Sequence, residues 1–245
     1  MKSDTALFSR LWAITARPLL NFFKKSFKRA SNGAFALGAR IYYKRSPYYQ
    51  QMPHRSFADL KKDKGAYGEY LLCYFLRKEK GRWLYNLYIP GREEATELDA
   101  LFICSRGVFL FESKNFSGRI YGLLSQPDWV QSVKTEKGIR KLRFFNPMMQ
   151  NGAHARALKA LLPENTPIYP MVVFGRESML YTPVAKEQPD KLFCLRDLRK
   201  RVSAVKKGVL GTDRIEGIYN SLLQYTKIDL RDKLSHLRRA QKRRR

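Results

Sequence analysis

Residues Val108-Phe109-Leu110-Phe111-Glu112-Ser113-Lys114-Asn115 constrain the fold of this chain more than any other stretch. The run is apolar and rich in β-favouring residues, entered through Arg106-Gly107 and left through Asn115-Phe116-Ser117-Gly118. Strand side chains alternate faces, so Val108, Leu110, Glu112 and Lys114 share one side. A carboxylate and an ammonium therefore continue a row of two aliphatics that should be buried. Burying charge is costly unless it is paired, hydrogen-bonded or metal-bound. The end of this strand needs partners for two charges.

The segment before it supplies one. Trp83 to Tyr88 reads as a strand closed by Pro90-Gly91, with Glu93, Glu94 and Ala95 continuing the turn. Thr96 to Cys104 reads as a second strand, with Asp99, Leu101 and Ile103 on one face. The tight turn at Arg106-Gly107 makes this strand and the 108–115 strand a hairpin, which sets Asp99 beside Glu112. Upstream, residues 65–79 have helical spacing. There Glu69, Leu72, Cys73 and Leu76 share a face, so a carboxylate sits on the stripe that should meet the core. Gly118–Gly122 and Asp128–Gln131 suggest short strands at the sheet edge. Asn146-Pro147 is a helix start, with Asn as cap and Pro in the first turn. That helix carries Gln150, Ala153, His154, Ala157, Leu158 and Leu161 along one side and ends at Pro163. Ile168–Phe174 is a buried strand, followed by a short strand at 192–195 and helices near 196–206 and 212–226.

Length allows one domain of ordinary size with extensions, or two small ones. The formal net charge of +27 sets the class of partner: nucleic acid first, anionic membrane second. Residues 1–60 carry 11 Lys/Arg against 2 Asp/Glu, and 196–245 carry 16 against 5, so the flanks are far more basic than the centre. Cys73, Cys104 and Cys194 stand alone in apolar contexts and read as reduced core residues of a cytoplasmic protein. His54, His154 and His236 are scattered, which argues against a structural zinc.

Residues 6–29 form a basic amphipathic stretch, with Arg10, Arg17 and Lys24 spaced seven apart beside Leu7, Leu11, Trp12, Ile14 and Phe22. It suits either a helix on an anionic membrane surface or a helix packed on protein, and it is too often interrupted by charge to span a bilayer. Residues 30–60, with Tyr42-Tyr43-Lys44-Arg45-Ser46-Pro47-Tyr48-Tyr49, read as a linker. Its interleaved tyrosines and cations are also of a kind that stacks on bases. The tail at 238–245 is too charged to pack.

Residues 65–175 resemble the nuclease-related domain (NERD), a branch of the PD-(D/E)xK phosphodiesterase superfamily. The landmarks are Gly68-Glu69, Glu97-Leu98-Asp99, the run from Gly107 to Asn115, Gly118-Arg119-Ile120, Trp129, Asn146 to Asn151, and Val172-Val173-Phe174. The resemblance implies an α/β fold with a restriction-endonuclease-like αβββαβ core, a mixed sheet flanked by helices. On that reading 1–60 is an N-terminal helix and linker, 61–175 the core, and 176–245 a strand and helical extension with a basic tail. It also implies that Asp99 and Glu112 hold Mg²⁺ or Mn²⁺, that Lys114 is the catalytic lysine, and that Glu69 and Gln150 support it. Ser113 stands where the family often has Thr.

Chemistry agrees with such an assignment. Mg²⁺ takes one or two carboxylates, water and substrate phosphate, and the main-chain carbonyl of Ser113 offers a further oxygen. Three acids and one lysine would otherwise leave a costly net negative cluster. The expected activity is metal-dependent hydrolysis of phosphodiester bonds in DNA, with RNA as the alternative substrate and no organic cofactor. The alternative function is a nucleic-acid-binding or membrane-tethered scaffold that keeps the fold without appreciable catalysis.

Overall fold

A computed structural model describes residues 32–52, 56–91 and 95–226. The expected helix at 6–29, the basic tail, Glu93, Glu94, His54 and His236 lie outside the described residues. The chain divides into two units, Met1–Lys44 and Arg45–Arg245. In the first, residues 32–43 are helical (α1). The second holds every other described element.

Its centre is a five-stranded mixed sheet in the order β1-β2-β3-β7-β9. The strands are β1 (Arg82–Ile89), β2 (Thr96–Cys104), β3 (Gly107–Lys114), β7 (Ile168–Phe174) and β9 (Leu192–Cys194). β1, β2 and β3 form the expected antiparallel meander, and β7 then pairs parallel to β3 with Glu112 beside Val172 and Lys114 beside Phe174. The hairpin between β2 and β3 closes at Cys104 and Gly107. Gly107 has φ +135°, and a Cβ there would sit 2.7 Å from the Pro167 carbonyl, so only glycine fits the turn. Helix α4 (Lys64–Phe75) precedes the meander, and α5 (Pro147–Lys159) leads into β7. The αβββαβ order of a restriction-endonuclease-like fold is thereby complete.

The two faces of this sheet are built differently. One is aliphatic: Leu84, Leu87, Leu98, Leu101, Ile103, Val108 and Leu110 pack with Leu158 of α5 and with Ile218 and Leu222 of α8 (Thr212–Leu223). The other is aromatic, with Trp83, Phe102, Phe109 and Phe111 in successive ring contacts. The short helix α6 (Val184–Glu187) buries Val184, and α7 (Leu198–Ala204) buries Leu198 and Val202. All three cysteines are buried.

Two expectations need correction. The strands near 118–131 are not edge strands of the main sheet. They belong to a second sheet, in the order β6-β5-β4-β8, made of β4 (Gly118–Tyr121), β5 (Asp128–Thr135), β6 (Gly138–Phe145) and β8 (Ser178–Leu180). Its inner side contributes Ile120 and Trp129 to a core shared with Val172 and Phe174 of β7. β6 was not anticipated, because its exposed cations mask the strand pattern. Second, the stretch read as a linker is folded in part. Ser46 caps α2 (Pro47–Gln51), accepting from the Tyr49 N–H, and α3 (Phe57–Lys62) follows. Tyr43 and Tyr48 are buried and so are not displayed for stacking on bases. Among the described residues no helix is long and apolar enough to cross a membrane.

Candidate active site

The charges at the end of β3 find partners on three elements. Glu112 is fully buried, and its Oε1 accepts a hydrogen bond from Lys114 Nζ at 2.5 Å. Lys114 Nζ also donates to Gln150 Oε1 of α5, 3.3 Å away. That helix is aimed by Asn146, whose Oδ1 accepts from the N–H groups of Met148 and Met149. The same side chain donates to the carbonyls of Leu124 and Gln126, which fixes the helix start to the preceding loop.

Asp99 reaches the site by another route. The β2–β3 ladder stops at Ala100 and Phe111, one step short of an Asp99–Glu112 pair. There the Asp99 side chain takes the place of the main chain, its Oδ2 accepting from the Ser113 N–H at 2.7 Å. The simple alternation expected for β2 is interrupted at this point, since Leu98 joins Leu101 and Ile103 in one core cluster. The cause lies opposite, in β1. Asn86, at φ +49°, falls between the Tyr85–Ala100 and Leu87–Leu98 pairs, where it would face Asp99. Asn is among the few residues that adopt this conformation at small cost.

Glu69 comes from α4, which approaches β3 closely. A Cβ on its neighbour Gly68 would stand 2.7 Å from Asn115 Cβ and 2.8 Å from Ser113 Oγ. Tyr48 donates its hydroxyl to Glu69 Oε2 at 3.5 Å. Burial, then the charges of Asp99, Glu97 and Asp63, hold the Glu69 carboxyl well above the ordinary range, with Tyr48 acting in the other direction. Burial and Glu112 push Asp99 up to about 7, against the opposing pull of Lys114, the Ser113 N–H and His154. Glu112 goes the other way: burial raises it, but Lys114 and His154 together outweigh burial and leave it below the ordinary value.

From sequence His154 has two readings, an ordinary partly buried histidine, which is favoured, or a side chain that approaches the site one turn after Gln150. Its Nδ1 lies 3.4 Å from Glu112 Oε2, beyond good hydrogen-bond geometry, and both buried atoms lack a hydrogen-bond partner. Its spacing of one helical turn from Gln150 was the available signal. Glu97 and Tyr88 also border the acids, with the Tyr88 hydroxyl raised by burial and by its hydrogen bond to Glu97.

Asp99 and Glu112 are the pair that could hold a divalent cation. The chemistry of the donors fits: desolvated, mutually repelling carboxylates, and a buried Glu112 oxygen with no donor. Among the described residues no group of three or more His, Cys, Asp and Glu side chains is arranged around one metal position. Such a site would take two side-chain carboxylates and complete its shell from main-chain oxygen, water and phosphate, a pattern that suits Mg²⁺. The model for the nuclease-related domain matches residues 64–175, the segment that holds Glu69, Asp99, Glu112, Lys114 and Gln150. That match takes in a little under half of the chain. An uncharacterized protein of Bacillus anthracis is similar, at 27% identity over 170 residues, covering 68% of this chain and 78% of its own. No solved structure matches.

Proposed function

We propose that the protein is a metal-dependent nuclease that hydrolyses phosphodiester bonds, with DNA as substrate. One observation carries the reading most directly. Lys114 is held between Glu112 and Gln150 at the end of a buried strand, with Asp99 fixed beside it by the Ser113 amide. A divalent cation held by Asp99, Glu112 and the Ser113 carbonyl would supply Lewis acidity toward the scissile phosphate. Lys114, 19% exposed, lies where it can meet negative charge developing on a phosphate oxygen or orient the attacking water. Gln150 holds the ammonium in place. Glu69, held well above the ordinary carboxylate range by burial and by Asp99, stands next to Asp99 and accepts from the Tyr48 hydroxyl. His154 neighbours the oxygen of Glu112 that faces away from Lys114. The net charge of +27 favours a polyanionic substrate.

Purified protein incubated with single- and double-stranded DNA and RNA, with Mg²⁺ or Mn²⁺, tests this. Cleavage is expected with metal and not with EDTA. Asp99→Ala and Lys114→Ala should each lower it by about 10²-fold or more while leaving binding intact. Cleavage that survives both substitutions would sink the assignment, and absence of cleavage by the wild type would favour a binding scaffold.

A further inference from the structure

The outer face of the second sheet takes no part in the site or the core. Pairing fixes its members. Arg119 lies beside Ser132 and Met179, Ser132 beside Lys141, Val130 beside both Tyr121 and Arg143, and Lys134 beside Ile139. Directly paired residues share a face, so Arg119, Tyr121, Lys134, Lys141 and Arg143 all project to one side. Ile120, Trp129 and Gln131 point the other way and are buried.

All four cations are exposed, and none is ion-paired among the described residues. Asp128, at the far corner beside Phe145, is the acid in this register. The two tyrosine rings are displayed together: Tyr121 is 38% and Tyr181 52% exposed, with centroids 5.5 Å apart. The Arg119 guanidinium lies over the Tyr181 ring at 5.3 Å. Exposed rings among unpaired cations on an open four-stranded face are what single-stranded nucleic acid needs: π-faces for unstacked bases and charges for the phosphates. Two strands of this sheet also join the site along the chain. Arg119 follows Lys114 by five residues, and β6 runs into Asn146, the cap of the helix that bears Gln150.

We propose that this face is a docking platform for single-stranded nucleic acid, with Tyr121 and Tyr181 stacking on bases and Arg119, Lys141 and Arg143 contacting phosphates. The platform rests on the nuclease reading in one respect, that it holds the strand the site would cut. A duplex keeps its bases stacked internally and offers the rings nothing, so preference for single strands is part of the proposal.

The test is fluorescence anisotropy of a labelled oligothymidylate with the full chain in EDTA, so that binding is measured without cleavage. Replacing both tyrosines with alanine should weaken binding by about tenfold or more, whereas Tyr→Phe at both positions should preserve it. Substituting Arg119, Lys141 and Arg143 with Gln should flatten the dependence of log affinity on log salt by about 2. Circular dichroism and thermal melting should match the wild type, since every altered side chain is exposed. Hydrolysis of bis(p-nitrophenyl) phosphate, too small to reach the platform, should be unaltered in the same variants. Unchanged oligonucleotide affinity in both sets overturns the platform, as does equal affinity for a duplex. Loss of binding to phosphatidylglycerol vesicles with oligonucleotide binding intact also overturns it and makes the face a membrane contact. If the wild type hydrolyses no phosphodiester yet the variants still lose oligonucleotide affinity, the nuclease reading fails and the platform stands.

Discussion

The Asp99 carboxyl, pushed up to about 7 by burial and by Glu112, links the site to stability. A carboxyl whose value in the folded state exceeds its unfolded value binds its proton more tightly in the native protein. Its stabilisation is therefore full at low pH and is lost as pH rises from about 4 through about 7. Asp99→Asn, which keeps an oxygen for the Ser113 amide, should raise the Tm of the metal-free protein at pH 8 by about 3–6 °C and change little at pH 4. Equal shifts at both pH values, measured by calorimetry in EDTA, would contradict the assignment. Glu112 acts in the opposite sense, because its lowered value stabilises the fold above the ordinary carboxylate range and fails as pH falls. Asn86 gives a second prediction at this scale. Replacing it with Val should cost about 1–2 kcal/mol because of its positive φ, while Gly should be nearly neutral, as urea titration would show.

At the scale of elements, the approach of α4 to β3 depends on Gly68. Gly68→Ala forces a methyl against Asn115 and Ser113 and should destabilise by about 1–3 kcal/mol. Since Glu69 is carried on the same turn, cleavage should fall in Gly68→Ala even under conditions where circular dichroism shows it folded. This packing was only partly legible in the sequence. The meander, the hairpin turn, the capped helix and the parallel strand were all readable, because apolar runs and turn residues mark them locally. Which sheet a short strand joins is not local information, so β4 and β5 were placed at the edge of the wrong sheet. β6 hid behind Arg140, Lys141 and Arg143. Glu112 and Lys114 stood out because charge ends an apolar run. His154 is legible only as one of two readings, since one histidine on a helix face looks the same whether it meets a carboxylate or not. The Ser46-Pro47 cap was present in the sequence but was outweighed by the polar, tyrosine-rich context around it.

Across the whole molecule the basic field should govern encounter with a polyanion. With a net charge of +27, nucleic-acid affinity should fall steeply from low to moderate salt, largely without regard to sequence. A filter-binding series over salt, run with two unrelated sequences, checks this; affinities that hold steady across salt would refute it. The order of the sheet has a consequence in time as well. Asp99, Glu112 and Lys114 leave the ribosome well before Gln150, His154 and the β7 strand that pairs with β3. Until Phe174 has emerged, the acids have no far wall and β3 lacks a neighbour on one side. Because so distant a partner must close the ladder, the acids and Lys114 stay without their full surroundings on a nascent chain until β7 has emerged.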